Sequence, residues 1–435
     1  MNYAGNPYPF RQDSTFLYYF GIAEPGLVGL VDLVEGTSRL YGHDPELNDV
    51  IWIGERPSMK DHGEAAGVSE TFPLSALETH LTDILRKNRP VHFLPPYRPN
   101  HRHRLGTLLG LQHDRVDTYA SVPLVRTVVQ QRLRKTKSEV QQLDTAVDVS
   151  ATMHEAAMQL AEPGRTEREI AGRLAGISEA QGRGLSFRPT CSVHGEVLHN
   201  HNYSNELSAG DLLLVDAGAT SPEQYAGDIT RVTPVGGSFS PRQRAVYQGV
   251  LAAQRAAIDA IAPDVPFRDI HLLAARILTE HLIEMGLMKG DADAAVAAGA
   301  HALFFPHGLG HMLGLDVHDM ENLGEDIVGY ASDQTRSDQF GLHTLRLARP
   351  LKPGYVVTVE PGCYFIPELI RQWRGDDRHA EFIDYEAVES FADFGGIRIE
   401  DDVLVTKEGA EILGPGIPKT IDDVESRTGT APPSS

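Results

Sequence analysis

Cysteine is nearly missing from this chain: two residues, Cys191 and Cys363, stand far apart in 435 positions. Two distant thiols make no disulfide framework, so the sequence predicts a reducing, cytoplasmic setting. Long apolar runs are also missing, and none approaches the ~18 residues that cross a bilayer. The N-terminus lacks the basic lead of a signal peptide: Arg11 and Asp13 interrupt it, and its apolar stretch, residues 16–20, is short and aromatic. Net positive charge is absent too, the formal charge being −21. So acidic a surface repels phosphate backbones and anionic membranes, which sets nucleic acid and membranes aside as partners. Most of the acids read as a solubilising surface. A few do not, because they sit inside apolar strands.

The length predicts two domains. Residues 1–125 read as a mixed α/β N-terminal domain, with a strand over 27–34 that ends at the Glu35-Gly36 turn. Leu77, Leu81, Ile84 and Leu85 have helical spacing, and residues 95–99 form a proline-rich loop. Residues 135–424 read as the second domain. There Thr136 and Glu139 have the capping-box spacing and open a helix to about Leu160, which Pro163-Gly164 stops. Thr166 to Glu169 opens another, ending near Gly182, and residues 244–262 and 269–286 predict two more. From residue 425 onward the polar composition predicts a disordered tail.

A weak internal repeat organises the second domain. Gly210 begins an apolar strand with Asp216 six residues on and Gly218 two later; Gly354, Glu360 and Gly362 repeat that spacing. Each is followed by a second strand with a further acid, Asp228 in one and Glu400 in the other. This predicts two related α+β halves facing each other, each presenting two carboxylates. An acid ending an apolar strand must be solvated, paired or bound to metal. Either Asp216 or Glu360 alone reads as a turn residue leaving the core; both together, at matching places, do not.

Histidines sharpen the picture. His307, His311 and His318 fall within twelve residues that also hold Gly308, Gly310 and Gly314. His307 and His311 stand four apart, but no Glu follows His307 and the glycines argue against a helix, so the His-Glu-x-x-His mechanism does not apply. Four carboxylates and one imidazole suit Mn²⁺, Co²⁺, Fe²⁺ or Zn²⁺, and four carboxylates offset two divalent ions. A metal pair ~3.5 Å apart can share a hydroxide nucleophile and stabilise the oxyanion formed at a carbonyl. Arg398 and Glu400 share strand parity, so both face the metal side, where an arginine can hold a substrate carboxylate. Cys363 reads as a small buried hydrophobe. Asp401 and Asp402 read as solvated acids or as supports behind the ligands, and the acidic stretch 381–389 as wet surface.

With these residues in place, the sequence resembles the proline-specific pita-bread metallopeptidases, the Xaa-Pro aminopeptidases and Xaa-Pro dipeptidases (prolidases). The matching stretches include Leu198-His199, Val215 to Gly218, Gly227 to Arg231, His307 to His311, Val317 to Asp319, Thr358 to Gly362 and Gly396 to Asp401. Residues 8–22 resemble the N-terminal domain of both groups. The resemblance implies an α+β chain with a C-terminal pita-bread (creatinase/aminopeptidase) fold. It implies that Asp216 chelates one metal, that His311 and Glu360 hold the other, and that Asp228 and Glu400 bridge them. It further implies that Glu360 handles the proton of the bridging water. His199, His307 and His318 would line the pocket and stabilise the transition state, and Arg398 would help bind the proline-side residue. Two ions, Mn²⁺ first, proline-containing peptides or dipeptides as substrates, and a homodimer or homotetramer are implied as well.

The stretch between Glu360 and Glu400, with Trp373, is organised more like a prolidase. Residues 324–341 are longer than either group leads one to expect. Met1 falls just ahead of Tyr8-Pro9-Phe10-Arg11, where relatives carry another strand and helix, so a shortened start is expected. A dipeptidase would close the pocket around a free C-terminal proline, and an aminopeptidase would leave it open; the sequence allows both. A non-catalytic peptide- or protein-binding relative and a metal-free creatinase-type hydrolase are the alternatives, and the complete set of five ligands argues against each.

Overall fold

Three strands and a set of short helices build the first of two units, residues 1–128, in the computed structural model, which describes residues 5, 6 and 8–430. Strand β1 (Val28–Asp32) runs antiparallel to β2 (Thr37–Gly42), and β2 runs parallel to β3 (Glu70–Pro73). Side chains alternate across β2. Leu40 packs with Phe20, Ile22 and Met59, while Tyr41 packs with Leu77 and Leu81 on the other face. The first strand is shorter than the sequence predicts. Asp32 accepts from the backbone N–H of Val34 and Glu35, at 3.0 Å each, and so turns the chain early.

The second unit, residues 129–435, contains the repeat. Its first half opens with the helices Lys137–Gln159, closed at its N-terminus by the expected reciprocal capping box, and Glu167–Gln181, which has such a box as well. The sheet β4 (Thr190–Ser192), β5 (Leu212–Ala217) and β6 (Ile229–Pro234) follows, all antiparallel. The second half opens with the helices Pro241–Asp259 and Phe267–Glu284. It continues through β7 (Val356–Val359), the pair β8 (Gly362–Tyr364) and β9 (Gly396–Arg398), then β10 (Asp401–Val405) and β11 (Ala410–Ile412). Helices cover one face of the first-half sheet: Met153, Ile170 and Leu174 pack on Leu213, Val215 and Ala217. Among the described residues, an antiparallel bridge between Thr230 and Glu400 pairs the backbones of the two halves. A shared core of Leu143, Val147, Ile229, Leu313 and Val356 lies beside that seam.

The chain does not leave the fold at residue 425. Helix Ile421–Arg427 spans that point, and Glu425 is held there by the backbone N–H of Phe239 (2.8 Å) and by Arg244. An acid that accepts two such bonds is better placed on the body than in solvent. Residues 431–435, the rest of the expected tail, and Met1, on which the expected shortened start falls, lie outside the described residues. In the stretch 381–389 the acids Glu381, Glu386 and Glu389 are exposed, while Ile383 and Val388 anchor it.

Candidate metal centre and active site

Alternation along β5 places the first acid. Leu213, Val215 and Ala217 face the helices, so Asp216 points to the opposite side, into a cavity of about 640 Å³. Asp228 reaches the same cavity because two glycines let its loop approach. A Cβ on Gly218 would lie 1.7 Å from the Gly227 carbonyl oxygen. The second half repeats the device: a Cβ on Gly310 would lie 2.0 Å from the Thr358 carbonyl oxygen. That approach lets the His311 N–H donate to Thr358 Oγ1 at 3.1 Å and the Glu360 N–H to the Leu309 carbonyl at 2.8 Å. The segment around His311 is therefore extended beside β7, not helical.

These backbone bonds converge the side chains. His311 Nε2 lies 3.4 Å from Asp228 Oδ2 and 3.6 Å from Glu360 Oε1. Its Nδ1 faces the Met312 carbonyl at 3.2 Å. A proton on Nδ1 leaves the Nε2 lone pair pointing at the carboxylates, as a metal-binding imidazole requires. Ligand atoms of Asp228, His311 and Glu400 lie within 4.8 Å of one another. Asp216 Oδ1 is buried with no hydrogen-bond partner. Its other oxygen accepts from Arg398 Nη2 at 2.6 Å.

Electrostatics make the cluster costly as it stands. Burial, then the neighbouring Asp216, push the Asp228 carboxyl well above the usual carboxylate range. Burial, then Asp228, Glu360 and Asp216, do the same to Glu400. Burial pushes Glu360 up to about 7, against the pull of His311 and Arg398. Crowded buried acids with an orphaned oxygen and an oriented imidazole fit divalent cations, which would supply the missing positive charge and take up the orphaned atom.

The remaining expected residues lie around the same cavity. His199, His307, His318 and Arg398 all line it. His307 Nε2 is 2.8 Å from the Tyr364 hydroxyl, and its Nδ1 is 2.8 Å from the Gly308 carbonyl. Burial, then Arg398, push His307 down to about 3. Burial, then His311, lower His318, and burial with Arg398 lowers His199. His318 packs edge-on against His311 with ring centroids 4.4 Å apart. Arg398 is less free than a substrate clamp would be: besides Asp216 it donates to Tyr364 Oη (2.9 Å) and Thr230 Oγ1 (3.1 Å).

Sequence reasoning missed three residues here. Thr230 Oγ1 donates to Glu400 Oε2 at 2.6 Å and so links that acid to Arg398. Tyr364 joins His307 to Arg398, and Arg346 lines the cavity while paired with Glu321. The signal for Thr230 was its parity with Asp228, and for Tyr364 its place four residues past Glu360. Asp401 and Asp402, for which solvation was one reading, are both buried; Asp402 Oδ2 accepts the Asp228 N–H at 2.9 Å. Solvation is thus excluded, because the strand pair closes over both.

The family model of metallopeptidase family M24 matches residues 141–407, and that of the aminopeptidase P N-terminal domain matches residues 1–92. The Xaa-Pro dipeptidase of Homo sapiens is 34% identical over 431 residues, covering 96% of this chain and 84% of its own length. The Xaa-Pro aminopeptidase of Haemophilus influenzae is 32% identical over 433 residues, covering 96% of this chain and 88% of its own. Among solved structures, proline aminopeptidase P II from Yersinia pestis has a TM-score of 0.80 at 31% identity, covering 99% of this chain and 93% of its own. Zinc-substituted Escherichia coli aminopeptidase P in complex with product has a TM-score of 0.77 at 29% identity, covering 98% and 91%.

Proposed function

The chain belongs to metallopeptidase family M24, in the group of Xaa-Pro aminopeptidases and dipeptidases, and from that premise we propose that it hydrolyses the peptide bond preceding proline with two divalent ions. It is an enzyme, with the α+β fold of its structural neighbours: a smaller N-terminal domain and a C-terminal pita-bread metallopeptidase domain. The proposal rests on one observation above others. Asp228, His311 and Glu400 bring ligand atoms within 4.8 Å of one another, on a cavity that Asp216 and Glu360 also line. Those five residues would hold the ions, Mn²⁺ first and Co²⁺, Zn²⁺ or Fe²⁺ after it. Bound there, the ions supply a hydroxide nucleophile near neutral pH and polarise the scissile carbonyl.

The chain's own groups do the rest. Glu360 takes the proton of the nucleophile at a carboxylate oxygen and returns it to the proline nitrogen as that bond breaks. His199 and His318, kept neutral by burial, each have one N–H to offer the carbonyl oxygen as charge develops on it. Tyr364, itself bonded to His307, holds Arg398, whose two uncommitted N–H groups would be left for the proline-side residue. The test is turnover of Gly-Pro, Ala-Pro and Gly-Pro-Ala after chelation, with and without added Mn²⁺. Dipeptide cleavage alone assigns a dipeptidase, and cleavage of the tripeptide as well an aminopeptidase. No metal-dependent cleavage of any of them refutes the proposal.

A reducing, cytoplasmic location is part of the same reading. It is supported by two free cysteines, both buried, and no described helix is long and apolar enough to cross a membrane. Assembly with a second copy of the chain also belongs to it. Helix Leu47–Ile53 buries none of its residues and leaves Leu47, Ile51, Trp52 and Ile53 61–78% exposed, an apolar surface that partners cover. Light scattering coupled to gel filtration reads the oligomer directly.

A further inference from the structure

Behind the metal-facing side of Glu400 lies a buried ionic network that the reaction itself does not use. Strand alternation sets it there: Thr230 and Glu400 face the cavity, so their neighbours Arg231 and Asp401 face the opposite side, toward helix Pro241–Asp259. Arg231 is 1% exposed and Asp401 3% exposed. All five guanidinium N–H groups are used. Arg231 Nη1 donates to the Glu400 carbonyl at 2.6 Å and to the Thr230 carbonyl at 2.9 Å. Nη2 donates to Asp401 Oδ1 at 2.6 Å and to the Ile417 carbonyl at 3.3 Å, and Nε to the Pro418 carbonyl at 2.9 Å. Asp401 Oδ2 in turn accepts from Gln254 Nε2 at 2.6 Å and from Lys419.

Such a site is costly unless it does something a packed apolar core could not. Its geometry says what that is. Beside the metal site a backbone bridge pairs the two halves at Thr230 and Glu400, with the Glu400 N–H on the Thr230 carbonyl at 3.1 Å. One guanidinium nitrogen holds the carbonyls of both residues of that bridge. Asp228 and Glu400 belong to opposite halves, and Arg231 braces their spacing from behind, alongside the Asp228 N–H bond to Asp402 and the Thr230 hydroxyl bond to Glu400.

We infer that Arg231, anchored by Asp401, is a positioning residue that sets the distance between Asp228 and Glu400 and thereby the affinity of the site for its second divalent ion. Its planar fork is the reason for arginine here. Lysine carries the charge but offers three donors from a single point and cannot span both carbonyls, Asp401 and the 417–418 backbone together. Supports that orient metal ligands are typically worth ~10–100-fold in affinity. The inference rests on the two-metal reading above, and the experiment separates the two.

Purified, chelated protein is titrated with Mn²⁺ by calorimetry, and bound metal is counted by elemental analysis. The wild type is expected to bind two equivalents; if it binds none, the two-metal reading fails before Arg231 is at issue. Arg231→Lys is expected to stay folded and to bind its weaker equivalent ~10-fold or more less tightly, with kcat recovering as Mn²⁺ is raised. Gln254→Met is the control. It removes a bond to Asp401 Oδ2 and an acceptor of Lys419 Nζ but leaves the Arg231 bonds to Asp401 Oδ1 and to the Thr230 and Glu400 carbonyls, so it is expected to lower thermal stability and leave both Mn²⁺ affinities unchanged. Should Arg231→Lys not be recovered folded, Asp401→Asn, which keeps the volume and weakens the anchor, is expected to shift the same affinity. Wild-type Mn²⁺ binding in the folded Arg231 or Asp401 variant, or an equal loss in Gln254→Met, overturns the inference.

Discussion

Acid sensitivity is written into His301. Its side chain is buried at 1% exposure, and neither ring nitrogen has a hydrogen-bond partner. Burial, then the neighbouring His379, push it from 6.5 down to about 4. The direction decides the sign. Between those two values the unfolded chain takes a proton that the folded chain refuses. The stability this neutral ring contributes is thus whole above the unfolded value and is lost as pH falls through 6.5 toward 4. At ~1.4 kcal/mol per pH unit, the loss from pH 7 to pH 5 is about 2 kcal/mol for this single ring. Replacing it with a group that cannot titrate, His301→Leu, should remove that part of the acid slope and nothing else. Urea midpoints at pH 7 and pH 5, followed by the fluorescence of the buried Trp373, give the answer. The carboxylates of the metal site titrate in both proteins and cancel in the difference. If His301→Leu loses as much stability on acidification as the wild type, the ring is not buried neutral and the reasoning is wrong.

Chelation should lower the melting temperature, because it leaves Asp216, Asp228, Glu360 and Glu400 crowded without counter-charge; recovery should then depend on Mn²⁺ concentration. A melting temperature indifferent to chelator and metal would count against the site. Asp216→Ala and Glu360→Ala should each cut kcat by about 100-fold or more, the scale of a lost transition-state contact, while circular dichroism stays near wild type. Full turnover in either would sink the assigned roles. Gly310→Ala should destabilise by about 3 kcal/mol, since its methyl group would meet the Thr358 carbonyl of β7, a backbone atom with no room to yield. A fully stable Gly310→Ala protein in calorimetry would contradict the close approach.

What the sequence carried plainly was anything encoded by local spacing. The capping box at Thr136 is a pattern four residues long, and the structure has it, as it has the helix opening at Thr166. Helix Pro241–Asp259 starts three residues ahead of the expected 244 because Ser240 and Gln243 make a capping box there, which the apolar periodicity does not register. The repeat of Gly210, Asp216 and Gly218 in Gly354, Glu360 and Gly362 was legible because strand, acid and close-approach glycine fall at one spacing. Gly218 did turn out to be a point where no side chain fits, with the Gly227 carbonyl in its way.

What could not be read was anything requiring two distant segments to be adjacent. Thr230 looks like an ordinary strand residue until Glu400, 170 positions later, is laid beside it. Asp401 and Asp402 look like solvated acids until β10 is closed against β7 on one side and the Asp228 loop on the other. The same limit explains Arg398. Parity alone sent it to the cavity, correctly, but parity knows nothing of Tyr364 and Thr230, which take up two of its N–H groups. The carboxylates announce the chemistry because a buried charge is conspicuous in an apolar strand. The groups that place those carboxylates are inconspicuous for the opposite reason: Thr230 and Asp402 are ordinary polar residues until Glu400 and the Asp228 N–H, each from the other half of the fold, are laid against them.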